Sequence, residues 1–313
     1  MTQLVQLQSI ADELAANGRT VFAISNDPVE VLADFAATHD IDFPLLSDEG
    51  SAVIRSFGIM NQLIEPDEGR SMRWYGIPYP GTYYIDADGL VMDKDFQQHH
   101  ARRASGVAVL ARALGRSVES DAGAQVHVDS DEVAVQVGLS DPALQLEMIS
   151  DVVVEIELPD GKHVYAPGAP KQFTPLSIEV AAAGVRVSEP QWPTAEPLTM
   201  SELQLTAPTY QGRVRVIVPI ATTSEIARLG HDIPDSIDLS VTSRFQMCDE
   251  VTCGLPQSVQ VVLTVPLQRL VEPDGLSIYA ERVEAIEAES GETVRSRDPS
   301  TLHMRPRCIG PAR

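Results

Sequence analysis

Apolar residues recur at three- and four-residue spacing over residues 3–17 (Leu4, Leu7, Ile10, Ala11, Leu14), and Asn17-Gly18 follows as a stop. The spacing predicts a first helix. T-V-F-A-I-S (20–25) reads as a buried-type strand. Pro28 opens a second helix with Val31, Leu32, Phe35 and Ala36 on one face. A short extended piece (43–48) and a short helix (51–57) come next. G-T-Y-Y-I-D-A-D-G-L-V-M-D (81–93) reads as two strands around a D-A-D-G turn, and Ala101–Leu114 as a last amphipathic helix. This αβαβαββα order predicts a three-layer α/β domain over residues 1–116, built on a central mixed sheet.

The period changes after a polar, small-residue stretch at 117–125, which reads as a linker. From 126 the chain alternates: E-V-A-V-Q-V-G-L, D-V-V-V-E-I-E-L, V-R-V-I-V-P-I, S-I-D-L-S-V-T-S-R-F and S-V-Q-V-V-L-T-V. Seven or more short strands separated by Pro- and Gly-rich turns predict an antiparallel β-sandwich over 126–267, with no convincing helix except near Ser224–Gly230. Residues 268–313 read as a helix (Ile278–Ser290) followed by a polar tail without structure. The predicted class is therefore α/β plus all-β.

Charge narrows the partners. The 313 residues carry a formal charge of -22, and both predicted domains are acidic. That argues against a nucleic-acid backbone or an anionic membrane. Arg295, Arg297, Arg305, Arg307 and Arg313 make the tail locally basic, and they read as solvated. No apolar run approaches the roughly 20 residues that span a bilayer, so no membrane insertion is expected. M-T-Q-L-V-Q-L-Q has no basic start and no cleavage site, so the chain as written reads as soluble and cytoplasmic.

Candidate chemistry sits at S-R-F-Q-M-C-D-E-V-T-C-G-L-P (243–256), which holds two of the three cysteines. Alternating strands flank it (Ile237, Leu239, Val241; Val259, Val261, Leu263, Val265), so Cys248 and Cys253 close a short loop and fall within disulfide reach. A structural bond, a redox-active pair, metal ligation and two unpaired thiols are all open. Zinc needs four ligands, and neither a second C-x-x-C nor a nearby H-x-x-x-H exists, so no metal or other cofactor is assigned. Asp249 and Glu250 lie between the cysteines, and carboxylates disfavour a neighbouring thiolate. A reduced pair should stay protonated at neutral pH and attack slowly unaided, as suits a module that waits for a partner's activated cysteine. Cys308, in the tail, reads as an inert free thiol. His99, His100, Arg102 and Arg103 read as solvated residues at a helix end.

S-D-E-G-S-A-V-I-R-S-F-G-I and Y-G-I-P-Y-P-G-T-Y-Y-I-D-A-D-G-L-V resemble the redoxin family, the thioredoxin-fold group of alkyl hydroperoxide reductase and thiol-specific antioxidant proteins, over about residues 3–116. The resemblance implies a cis proline at Pro80, packed beside a catalytic thiol. The family's nucleophile stands at the head of its first helix, where the helix N-terminus favours the thiolate. Here that helix begins at about residue 3, and no cysteine precedes Cys248. The expectation is an N-terminally truncated thioredoxin-like domain, missing a central strand and the cysteine turn, with an inactive redoxin site.

Y-Q-G-R-V-R-V-I-V-P-I followed by R-F-Q-M-C-D-E-V-T-C-G-L-P resembles the N-terminal periplasmic domain of the DsbD thiol–disulfide interchange family, over roughly 125–267. The resemblance implies an immunoglobulin-like β-sandwich, a periplasmic setting, a thiol-redox partner protein, and Cys248 and Cys253 as the redox pair. Gly254-Leu255-Pro256 departs from the two prolines many members carry after the second cysteine. Two functional classes follow. One is a thiol–disulfide oxidoreductase of antioxidant type acting through Cys248 and Cys253. The other is a non-catalytic binding module for a redox partner, with a structural disulfide.

Overall fold

The computed structural model describes residues 2–64, 75–98, 102–120, 125–129, 133–146, 148–200, 205–223, 226, 234–249 and 251–268. All but Gln268 of the helix and tail expected over 268–313, most of the helix expected near Ser224–Gly230, His99, His100, Glu250 and Cys308 lie outside those residues.

The first segment runs α1 (Thr2–Ala16), β1 (Ala23–Ser25), α2 (Val29–Thr38), β2 (Leu45–Ser47), α3 (Ala52–Ser56), β3 (Gly81–Ile85), β4 (Val91–Phe96), β5 (Arg103–Ala104) and α4 (Gly106–Ala113). The expected elements form, with two corrections. Arg103 and Ala104 are extended rather than helical, because Ser105 caps α4 by accepting from the Ala108 amide at 3.2 Å. Among the described residues the strands do not make one central sheet. β1 pairs with β2 in parallel, and β3 pairs with β4 antiparallel, as two separate ribbons. With the outer edge of each ribbon unpaired among the described residues, apolar side chains expected to be buried are open, Phe22 at 60% and Ile24 at 38% exposure among them.

The bond before Pro80 is not cis: among the described residues every peptide bond is trans. Trans is intrinsically favoured by about 0.5–1 kcal/mol before proline. The neighbouring backbone is satisfied with it, since the Tyr79 amide donates to the Ile59 carbonyl (2.7 Å) and the Gln97 amide to the Pro80 carbonyl (2.8 Å). Arg102 and Arg103 are half-buried rather than solvated, and burial holds the Arg103 guanidinium down to about 10.

The second segment is built mainly of strands, with Ile226 helical where a helix was expected: β6 (Gln125–Asp129), β7 (Ala134–Leu139), β8 (Leu144–Gln145), β9 (Met148–Glu157), β10 (His163–Tyr165), β11 (Ser177–Ala181), β12 (Val185–Val187), β13 (Glu196–Met200), β14 (Leu205–Gln211), β15 (Arg213–Thr222), β16 (Ser236–Phe245), β17 (Met247–Cys248) and β18 (Gln257–Gln268). One sheet is ordered β12-β15-β9-β7-β6, with β5 of the first segment joined to β9. A second is ordered β11-β16-β18-β8, and a third β13-β14-β10-β17. The molecule is thus mostly β with few helices.

Alternation explains the core. Ile237, Leu239 and Val241 of β16 and Val261, Leu263 and Val265 of β18 point inward, as their period-2 spacing predicts. They share one apolar cluster with Val135, Val137, Val154, Val216 and Val218 of the first sheet. β9 is different, since Val152, Val153 and Val154 are all buried. Residues 118–120 lie against the first sheet, at Gly138 of β7 and Arg215 of β15. Ser120 is 5% exposed, and Arg215 donates to the Val118 carbonyl and pairs with Glu119 at 2.9 Å.

Candidate functional site

Cys248 and Cys253 are joined by a disulfide, with an S–S distance of 2.05 Å and Cα atoms 4.0 Å apart. β16 continues through Gln246 into β17, which carries Cys248 into the third sheet beside β10. Register pairs His163 with Cys248 and Val164 with Met247. Cys248 ends up 1% exposed, in a small cluster with Tyr165 and Ala207. Cys253, five residues on, is exposed.

The loop between the cysteines is built around Asp249. Its carboxylate accepts from the amides of Val251 (2.9 Å) and Thr252 (2.7 Å), while its own amide donates to the Thr252 carbonyl. Lys162 pairs with it at 3.0 Å. The Thr252 amide, then that of Val251, then Lys162 hold the Asp249 carboxyl far below the usual carboxylate range. The expected repulsion of a thiolate by this carboxylate is therefore softened: the charge is shared among two amides and an ammonium group.

Gln246 fixes the other rim. Its side-chain amide donates to the Gly254 carbonyl (3.0 Å) and accepts from the Thr174 amide (3.1 Å), joining the second cysteine's turn to the segment before β11. Gln172, Phe173, Leu205, Gln246 and Cys253 line an open cleft of about 470 Å³. Val251 and Leu255, at 89% and 85% exposure, flank the mouth of the disulfide loop.

Sequence reading found both cysteines and missed the residues beneath them. The Tyr165 hydroxyl lies 3.7 Å from Cys253 Sγ, and its ring stacks on Phe173 with centroids 4.1 Å apart. Burial pushes its phenol up. The His163 and Tyr165 rings lie with centroids 5.5 Å apart and their planes at 87°. Burial holds His163 below its ordinary range, and the nearby Asp249 charge acts against that. The available signal was K-H-V-Y, a short strand with two aromatic side chains on one face. Pro80 belongs to the first segment, and the described contacts do not join it to the cysteine pair. Among the described residues no group of three or more His, Cys, Asp or Glu gathers to hold a metal ion.

Against this geometry the comparisons with known proteins divide the chain in two. The AhpC/TSA family model matches residues 1–94, and the model for the N-terminal part of thiol:disulfide interchange protein DsbD matches 132–265. No curated protein matches the chain. Among solved structures, the N-terminal periplasmic domain of ScsB from Proteus mirabilis aligns at 12% identity and a TM-score of 0.32, covering 53% of this chain and 58% of that one. The Neisseria meningitidis DsbD N-terminal domain in its reduced form aligns at 16% identity and 0.26, covering 37% and 77%. The chain thus spans little more than half of the ScsB domain. Its first third carries the AhpC/TSA family pattern, and the strand-rich part that holds Cys248 and Cys253 carries that of the DsbD N-terminal family.

Proposed function

We propose that this chain is a thiol–disulfide oxidoreductase of antioxidant type, exchanging disulfides with a thiol-redox partner protein through Cys248 and Cys253. The observation that carries the reading is the asymmetry of the pair: Cys248 is 1% exposed, while Cys253 stands exposed on a cleft. A partner thiolate has access to the Cys253 sulfur. Its attack forms a mixed disulfide there, breaks the Cys248–Cys253 bond and leaves the electron pair on Cys248. The partner's second thiol then attacks its own sulfur in the mixed disulfide and releases Cys253. Two electrons and two protons pass from the partner dithiol to the pair.

The match to the DsbD N-terminal family supports this, and so does the loop itself. The Asp249 and Gly254 amides also close it, by hydrogen bonds to the Thr252 and Met247 carbonyls, alongside the disulfide itself. The architecture proposed with this reading is a thioredoxin-like segment to about residue 116, a linker over 117–125, an immunoglobulin-like β-sandwich over 126–267 and a separate end from 268. All three cysteines lie at or after 248, so the AhpC/TSA-type segment contributes no thiol of its own, and its redoxin site is inactive in this chain.

One observation favours the rival reading, a binding module with a structural disulfide: Cys248, at 1% exposure, is buried like a core residue. Equilibrating the full chain with dithiol redox buffers and trapping the thiols separates the two. A reduction potential above about -300 mV is expected, and a lower value marks a structural bond.

A further inference from the structure

His163 is only 5% exposed, and its Nε2 has no hydrogen-bond partner among the described residues. A buried nitrogen left unpaired is costly, and such groups are rare in folded proteins. This one is also well placed. β10 runs between β14 and β17, with Gln211 opposite His163 on one side and Cys248 on the other. Cross-strand partners keep their Cβ atoms about 4.5–5.5 Å apart on one face of the sheet. The imidazole therefore shares a face with the buried sulfur, and its ring stands perpendicular to that of Tyr165, whose hydroxyl reaches Cys253.

We propose that His163, with its proton on Nε2, donates a hydrogen bond to the sulfur that Cys248 retains when a partner thiolate opens the disulfide at Cys253. The proposal rests on the disulfide-exchange reading. In that step the incoming sulfur bonds to Cys253 Sγ, the Cys248–Cys253 bond breaks, and the electron pair stays on Cys248 Sγ. Burial makes a thiolate there expensive. A donor that is idle in the disulfide and engaged only as charge develops lowers the barrier without stabilising the starting state.

The groups that face His163 are Cys248 and Asp249 from β17 and the loop after it, Tyr165 on its own strand, and uncharged Gln211 from β14. Asp249 is itself tied to Lys162. Burial keeps the imidazole neutral at physiological pH, so it acts as an N–H donor, and acid converts it to a stronger, charged one.

The test is the opening of the disulfide in the full chain by dithiothreitol, followed by alkylation and mass, with rates expressed per dithiothreitol thiolate across pH. His163→Leu should open about tenfold more slowly at about pH 7.5, the loss of one charge-assisted hydrogen bond. His163→Gln keeps an N–H at the same reach and should recover most of that rate. The wild-type rate per thiolate should rise as pH falls below the ordinary histidine range, and neither variant should show the rise. A His163→Leu protein with the wild-type rate and pH profile would overturn the inference. So would equal slowing in both variants with no acid rise in the wild type, which marks a packing role. A wild-type bond that dithiothreitol does not open removes the exchange reading, and this inference with it.

Discussion

Gln246 makes two hydrogen bonds that no apolar residue of its size can replace, one to the turn after Cys253 and one to the Thr174 amide. A Gln246→Leu substitution keeps the bulk and leaves both backbone groups to find water. The expected cost is about 1–2 kcal/mol, read as a lower urea midpoint at unchanged slope. The same variant should speed opening of the disulfide, because the cleft wall beside Cys253 loses its tie. An unchanged midpoint would mean that the rim is held by Asp249 and its loop alone. Asp249 takes the part that the sequence gives to a repelling charge. It organises the loop, where Lys162 and two backbone amides bind its carboxylate.

Two glycines show how whole strands are placed. β14 ends and β15 begins around Gly212, at a φ of +60° in open space, where the chain leaves the third sheet and enters the first. A side chain at Gly212 meets no neighbour, so Gly212→Ala should cost only the left-handed backbone penalty, about 1–2 kcal/mol. Gly138 is the opposite case. Its backbone is ordinary extended strand, but an added Cβ would stand 2.6 Å from the Ser120 Cβ. Gly138→Ala should therefore destabilise the protein by about 1–3 kcal/mol. Pairing it with Ser120→Gly should restore most of that loss. Thermal unfolding of the single and double variants reads the coupling, and purely additive effects would show that residues 118–120 do not lie over the sheet in solution.

Across the whole molecule, buried charge sets the pH dependence. Asp141 and Asp151, 4% and 8% exposed, lie where α4 and β5 meet β9, among the hydroxyls of Ser105, Ser140 and Ser150. Burial first, then the Asp141 charge, pushes the Asp151 carboxyl up to about 6, with Arg112 acting against them. A carboxyl raised in the folded state binds its proton more tightly there than in the unfolded chain. Its contribution is fully present below the unfolded value near 4 and is lost as pH rises through about 6. Asp151→Asn should therefore match the wild type near pH 4 and exceed it by about 1–3 kcal/mol near pH 7.5, measured by urea unfolding at both. Equal stability at the higher pH would show that Arg112 neutralises the site. The wild-type curve alone cannot serve, because Asp48 and Asp249, held low by backbone amides, lose stability in the opposite direction as pH falls.

The sequence by itself determined the local elements and the place of the chemistry. Period-2 alternation around residues 237–241 and 259–265, the D-A-D-G turn and the short cysteine loop are encoded by neighbours a few residues apart, through side-chain sterics and turn chemistry. It could not state which strands meet. His163 and Tyr165 stand more than 80 residues before Cys248 and Cys253, and only the β10–β17 register puts them beneath the pair. A shift of one residue would turn both aromatic side chains away from it. The same long-range pairing buries one sulfur and leaves the other open, and tertiary contacts likewise decide that residues 118–120 lie against β7 and β15 and that the first segment's strands form two ribbons. Pro80 sits in a trans loop tied to Ile59 and Gln97 by backbone hydrogen bonds. Register depends on the sum of contacts across the sheets, which no short window of the chain contains, so the asymmetry on which the chemistry turns belongs to the tertiary structure.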